Sequence, residues 1–151
     1  VVCGEGPSDE RAIFDFSPRI GLSLESRIKC PGGMGSHLGW DGQRLWLSQW
    51  YPKKLIPFSN HKILGPAITI PHEICGQAIV DDKFYLVTTD DEDSGDYFLT
   101  CVTPRASGPK VEVLAELGFS ARGLAFDGDR FWSNHREANE IVSFTIPGIT
   151  P

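Results

Sequence analysis

The chain is predicted to be all-β, built from repeated antiparallel sheets, and three observations predict it. One phrase recurs three times: Leu38-Gly-Trp-Asp-Gly-Gln-Arg-Leu-Trp-Leu-Ser48, Ala78-Ile-Val-Asp-Asp-Lys-Phe-Tyr-Leu-Val87 and Leu124-Ala-Phe-Asp-Gly-Asp-Arg-Phe-Trp-Ser-Asn134. Each copy is an apolar run, an Asp-Gly or Asp-Asp turn, and a second apolar run, which is the pattern of a β-hairpin. The turn residues Asp41, Asp81 and Asp127 recur after 40 and 46 residues. Hairpins repeating at about 40–50 residues are the signature of β-propeller blades, each of four antiparallel strands running outward from a channel.

The first repeat places its inner strand at 37–41, its second at 44–49, its third at 54–59 and its outer strand at 63–70. Pro71 ends that outer strand because proline has no N–H for the ladder. The second repeat gives 77–81, 83–89, 97–103 and 110–117. The third gives 123–127, 130–134 and 140–146, and is followed by Pro147-Gly148. Period-two alternation in Phe84-Tyr-Leu-Val-Thr-Thr89 and Glu140-Ile-Val-Ser-Phe-Thr-Ile146 favours strand over helix. The third repeat lacks an outer strand. Residues 22–30 read as a spare one before Pro31, and 12–17 as a third strand.

These elements amount to about three four-stranded blades in one domain, 1–151. Three blades fall short of the smallest propeller, and open sheet edges are liabilities. The expectation is a six-bladed ring closed by a homodimer through strand exchange, with residues 12–30 completing a blade of the partner chain. Residues 12–17 and 140–146 then compete for one third-strand position.

Composition narrows the function. The chain has 151 residues, 40% of them hydrophobic, with 16 Gly and 11 Pro. Its net charge of −6 argues against nucleic acid and anionic membranes as partners, both of which need clustered Lys and Arg. No run reaches the ~20 apolar residues of a membrane span. A signal peptide is not visible in the sequence. Cys3, Cys30, Cys75 and Cys101 form no C-x-x-C pair. The expected compartment is the cytoplasm with reduced thiols, or a secreted or periplasmic one if a leader has been removed. Cys101 reads as a small core residue, and a Cys30–Cys75 disulfide is the weaker option.

The phrases at 37–46 and 123–132 resemble blades of the six- and seven-bladed superfamily that includes NHL-repeat, glutamine cyclotransferase-like and gluconolactonase-like propellers. The resemblance covers most of 22–146. It implies a blade fold and nothing more specific, because such propellers include metal-dependent lactonases, a metal-independent cyclase and binding scaffolds. The metal constellation of the lactonase-like group has no position-by-position match in this chain.

Topology nominates a site. Loops entering inner strands and leaving second strands share the channel mouth. Aligned on the turn aspartates, those positions hold His37, Gln77 and Arg122, with Gln49, Trp50, Asp90, His135 and Arg136 outside them. They vary while the frame repeats, as a ligand site on a scaffold does. Arg122 offers a planar fork for a carboxylate or phosphate, or a structural bridge to Asp90 or Glu73. His37 and His135 suit acid–base chemistry, and Trp50 can stack on a ligand. Trp40, Trp46 and Trp132 read as core, and His61 and His72 as loop residues.

The acidic run 90–96 has carboxylates suited to a divalent metal such as Ca²⁺, though a solvated loop explains it more simply. The leading expectation is a binding propeller with a polar or anionic small-molecule or partner site at the mouth. The alternatives are a lactonase-, cyclase- or lyase-like enzyme, with or without a divalent metal, and a structural assembly module.

Overall fold

Alternating strands and tight turns give four antiparallel sheets in chain order. The computed structural model describes residues 1–5, 10–59, 62–91 and 93–148. The first sheet is β1 (Val2–Glu5), β2 (Glu10–Ser17) and β3 (Gly21–Lys29). The second holds β4 (Leu38–Trp40), β5 (Leu45–Gln49) and β6 (Lys54–Ser59), then β7 (Lys62–Ile63) and β8 (Ile68–Thr69). The third is complete: β9 (Glu73–Val80), β10 (Lys83–Thr89), β11 (Tyr97–Thr103) and β12 (Lys110–Leu117). The fourth is β13 (Ala121–Phe126), β14 (Phe131–His135) and β15 (Glu140–Phe144). Among the described residues there is no α-helix. The architecture is all-β and made of propeller-type blades, as the repeat predicts.

Three details depart from the sequence reading. The expected outer strand at 63–70 is broken into β7 and β8, which pair with opposite ends of β6. Gly65-Pro66 lies between them, and proline cannot donate to a ladder. β1 is an additional strand. Residues 12–17 and 22–30 lie in neighbouring strands, because β2 pairs with both β1 and β3 inside the chain. They build a sheet of their own, so 12–17 and 140–146 do not compete for one place.

The turns explain the repeated phrase. Asp41 Oδ1 accepts the N–H groups of Gln43 and Arg44, both at 2.8 Å, while Oδ2 accepts Trp46 Nε1 at 2.7 Å and Arg44 Nε at 2.9 Å. Asp127 does the same for Asp129, Arg130 and Trp132 Nε1. The third sheet has Phe84-Tyr85 where these hairpins have Leu45-Trp46 and Phe131-Trp132, so it offers its turn aspartate no indole N–H. A shorter two-residue turn suffices there, with Asp81 and Asp82 at φ 49° and 60°. Both φ values are positive, as the mirror-image hairpin turn requires.

Each junction between sheets holds its own core. Ile13, Cys30, Leu47, Ile56 and Phe58 fill the first, between sheets one and two. Trp46, Leu55, Ile74, Phe84 and Leu86 fill the second. Tyr85, Val87, Leu99, Leu124 and Phe131 fill the third. Burying a side chain such as Phe131 contributes about 1.5–3 kcal/mol.

The cysteines follow this division. Cys30 belongs to the first junction and Cys75 to the third, so no disulfide joins them. Burial pushes the Cys30 thiol up to about 11, against the opposing charge of Arg11. Cys101 is a buried, free core residue, as predicted.

The expectation for tryptophan holds only for Trp46, which is 7% exposed and packs edge-on against Phe84 at 4.8 Å. Trp40 is 57% exposed and Trp132 38% exposed. Trp132 lies on the fourth sheet, beyond which no further sheet packs among the described residues.

Candidate functional site at the channel mouth

The inner strands β9 and β13 meet without side chains between their closest backbones. A Cβ on Gly76 would sit 2.4 Å from the carbonyl carbon of Gly123, and Gly123 has φ +77°. This contact brings β13 against β9 and carries Arg122 to the mouth of the second sheet.

A cleft of about 470 Å³ opens there, lined by Arg11, Ser36, His37, Trp50, Tyr51 and Arg122, with Met34 and Pro52. Its walls come from separate parts of the chain. Arg11 belongs to β2 in the first sheet and Arg122 to β13 in the fourth. Residues 33–37 enter β4, and residues 50–52 leave β5.

The guanidinium carbon of Arg122 lies 3.9 Å from the ring centroid of Trp50, a cation–π contact. Trp50 is fixed from its other side, its Nε1 donating to Glu73 Oε2 at 2.7 Å. Tyr51 stands beside it, tilted by 49° at 6.2 Å between centroids. His37 is held through its backbone: its N–H donates to Ser48 Oγ at 3.1 Å, and its carbonyl accepts Gln77 Nε2 at 3.0 Å. Its buried Nδ1 has no hydrogen-bond partner among the described residues. Burial, and then the positive charge of Arg122, lower its pKa from the ordinary imidazole value. The ring is therefore neutral at pH 7.

Chemically, the cleft pairs a forked cation with a neutral imidazole between aromatic walls. Such a set suits an anionic oxygen carried on a planar or apolar body. Among the described residues, no group of three or more His, Cys, Asp or Glu side chains is arranged to hold a metal ion.

The structure brings His37, Trp50 and Arg122 together and sends the other nominated residues elsewhere. Gln49 is buried beneath the loop, its amide donating to the carbonyls of Pro31 and Met34, both at 2.7 Å. Gln77 is also buried and clamps the carbonyls of His37 and Trp46. Both glutamines tie strands to neighbouring loops.

Asp90 is exposed and pairs with His72 Nδ1 at 2.5 Å. His135 stacks on Phe119 at 5.2 Å and accepts the Ala138 N–H through Nδ1. Arg136 is exposed and does not line the cleft. The acidic run is braced from within, Thr89 Oγ1 donating to the carbonyls of Asp91 and Asp96, both at 2.8 Å. His61 and Glu92 lie outside the described residues.

Arg11, Ser36 and Tyr51 complete the lining. Ser36 and Tyr51 adjoin nominated residues, and their neighbours in sequence were the available signal. Arg11 carried none, because it arrives from a sheet whose placement is not written in the repeat.

No family model matches the chain, and no curated protein does. Among solved structures, virginiamycin B lyase from Staphylococcus aureus is similar to it, with a TM-score of 0.49 and 14% identity over 96% of this chain and 55% of that one. The chain thus spans about half the length of that protein. No helix in the described residues is long and apolar enough to cross a membrane.

Proposed function

We propose that this chain is a binding unit whose channel-mouth cleft takes a small anionic molecule, a carboxylate or phosphate on an aromatic or apolar body. The observation that carries the reading is Arg122 held over Trp50 beside the neutral ring of His37. Trp50, anchored by Glu73, stiffens the long arginine side chain, so less rotamer freedom remains to be lost on binding. The reading includes ring closure by a second copy of the chain, which would bring the four sheets of each copy round one channel.

The test is a calorimetric titration with a panel of aromatic carboxylates and phosphate monoesters. Wild type should bind a member of the panel, and Arg122→Ala should weaken that binding at least tenfold with its far-UV spectrum unchanged. Absence of binding across the panel, or equal binding by the variant, removes the reading. A variant that unfolds makes Arg122 architectural.

The neutral imidazole beside a cation also favours a second reading, in which His37 acts as a general base in a lactonase-, cyclase- or lyase-type reaction. Turnover of a bound panel member, lost in His37→Gln with binding retained, distinguishes it from pure binding.

A further inference from the structure

We infer that the outward face of the fourth sheet docks on another copy of this chain, in the way the second sheet docks on the third. The inference deepens the ring-closure part of the proposed function and is independent of the ligand.

The argument begins with two equivalent tryptophans. Trp46 and Trp132 occupy the same step of their hairpins, opposite Gly39 and Ala125. Each is aimed by the same bond, from indole Nε1 to a turn aspartate, at 2.7 Å and 2.6 Å. Trp46 meets Phe84 of the next sheet, whereas Trp132 meets nothing comparable among the described residues and is 38% exposed. The aspartate thus holds a large apolar ring ready in the orientation that Trp46 uses for sheet-to-sheet packing.

The rest of the face agrees. Antiparallel register partners share a face, as do residues two apart. Trp132, Ala125, Asn134, Ser143 and Ile141 therefore lie together, and all but half-buried Ser143 are exposed, Ile141 at 76%. The alternate residues Phe131, Ser133 and Phe144 face the third junction core or lie buried. One side of the sheet is packed as an interior, and the other carries Trp132 and Ile141 and is uncovered among the described residues.

The occupant is a second copy because the first sheet supplies a matching apolar surface. Phe16 and Leu22 are register partners on β2 and β3, 57% and 43% exposed. The contact is head to tail. Made twice about a two-fold axis, it closes on itself and leaves neither face open.

Light scattering across a hundredfold concentration range tests this, using the whole chain and the variants Trp132→Phe, Trp132→Glu and Ile141→Glu. The expected result is a mass of twice 16.7 kDa for wild type and Trp132→Phe. Both glutamate variants should have the monomer mass with unchanged far-UV spectra. A wild-type monomer at every concentration overturns both the docking face and ring closure. A dimer unaffected by either glutamate overturns the face while ring closure stands. Oligomers that grow with concentration overturn the closed two-fold contact. Ligand titration of the monomeric variants reads the cleft separately, so its failure is distinguishable from that of the interface.

Discussion

Gly76 and Gly123 touch backbone to backbone, with a Cβ on the first lying 2.4 Å from the carbonyl carbon of the second and 2.7 Å from its Cα. The obstacle is main chain, which cannot swing aside as a side chain does. Replacing Gly76 with Ala must push β9 and β13 apart, and overpacking of this kind costs about 1–3 kcal/mol or more. Gly118 has open space around its Cβ position. In urea denaturation, Gly76→Ala should lose at least that much stability, and Gly118→Ala should stay close to wild type. Equal behaviour of the two variants would contradict the inner-strand packing described above.

Asp41 serves four donors, and its loss strands a half-buried indole N–H. Removing a buried acceptor costs about 1–3 kcal/mol, and Asp41→Ala should lose an amount in that range. Pairing it with Trp46→Phe should make the two losses less than additive, since the phenylalanine leaves no donor unsatisfied. Burial works against the Asp41 charge, but hydrogen bonds from Trp46, from the Arg44 side chain and from the Arg44 and Gln43 backbones outweigh it and hold the carboxyl well below its usual range. Its contribution is complete above the unfolded value of about 3.9 and drains away as pH falls through the folded one. Acid unfolding curves of Asp41→Asn should accordingly be shallower than those of wild type.

His37 runs in the opposite sense. Its folded pKa is lowered, by burial first and by Arg122 second. The unfolded chain therefore takes up the proton first as pH falls. No stability is lost above the unfolded value of about 6.5, and below it stability declines until the folded value is reached. One group gives a slope of at most about 1.4 kcal/mol per pH unit. Denaturant midpoints measured from pH 8 to pH 5 should fall faster for wild type than for His37→Gln. Arg122→Ala should fall at an intermediate rate, because it removes only the second cause. Parallel curves for all three would show that the ring is not held neutral.

The hairpins were legible because their causes are local. Alternation marks β10 and β15, and an aspartate able to receive the N–H groups of the following turn marks β4–β5 and β13–β14. Pro71 marks the end of the outer strand, whereas its break at Gly65-Pro66 was not read from the sequence. β1 was missed because its four residues carry no alternation and no turn signal. The exposure of Trp132 could not be read either, since its local pattern matches that of buried Trp46 and the difference lies in what packs beyond the sheet.

The sequence by itself determined the blade frame, the turn types and the positions from which a mouth could be built. Strand alternation and turn hydrogen bonds reach only a few residues, and those are printed in order along the chain. Only the tertiary structure decided which mouth residues meet. It seated Arg122 on Trp50, left His37 beside them, and turned Gln49 and Gln77 into clamps on neighbouring loops. The physical reason is that these outcomes depend on how one sheet sits against the next. That is set by the glycine contact between β9 and β13 and by the cores at the three junctions, and both join residues far apart in sequence.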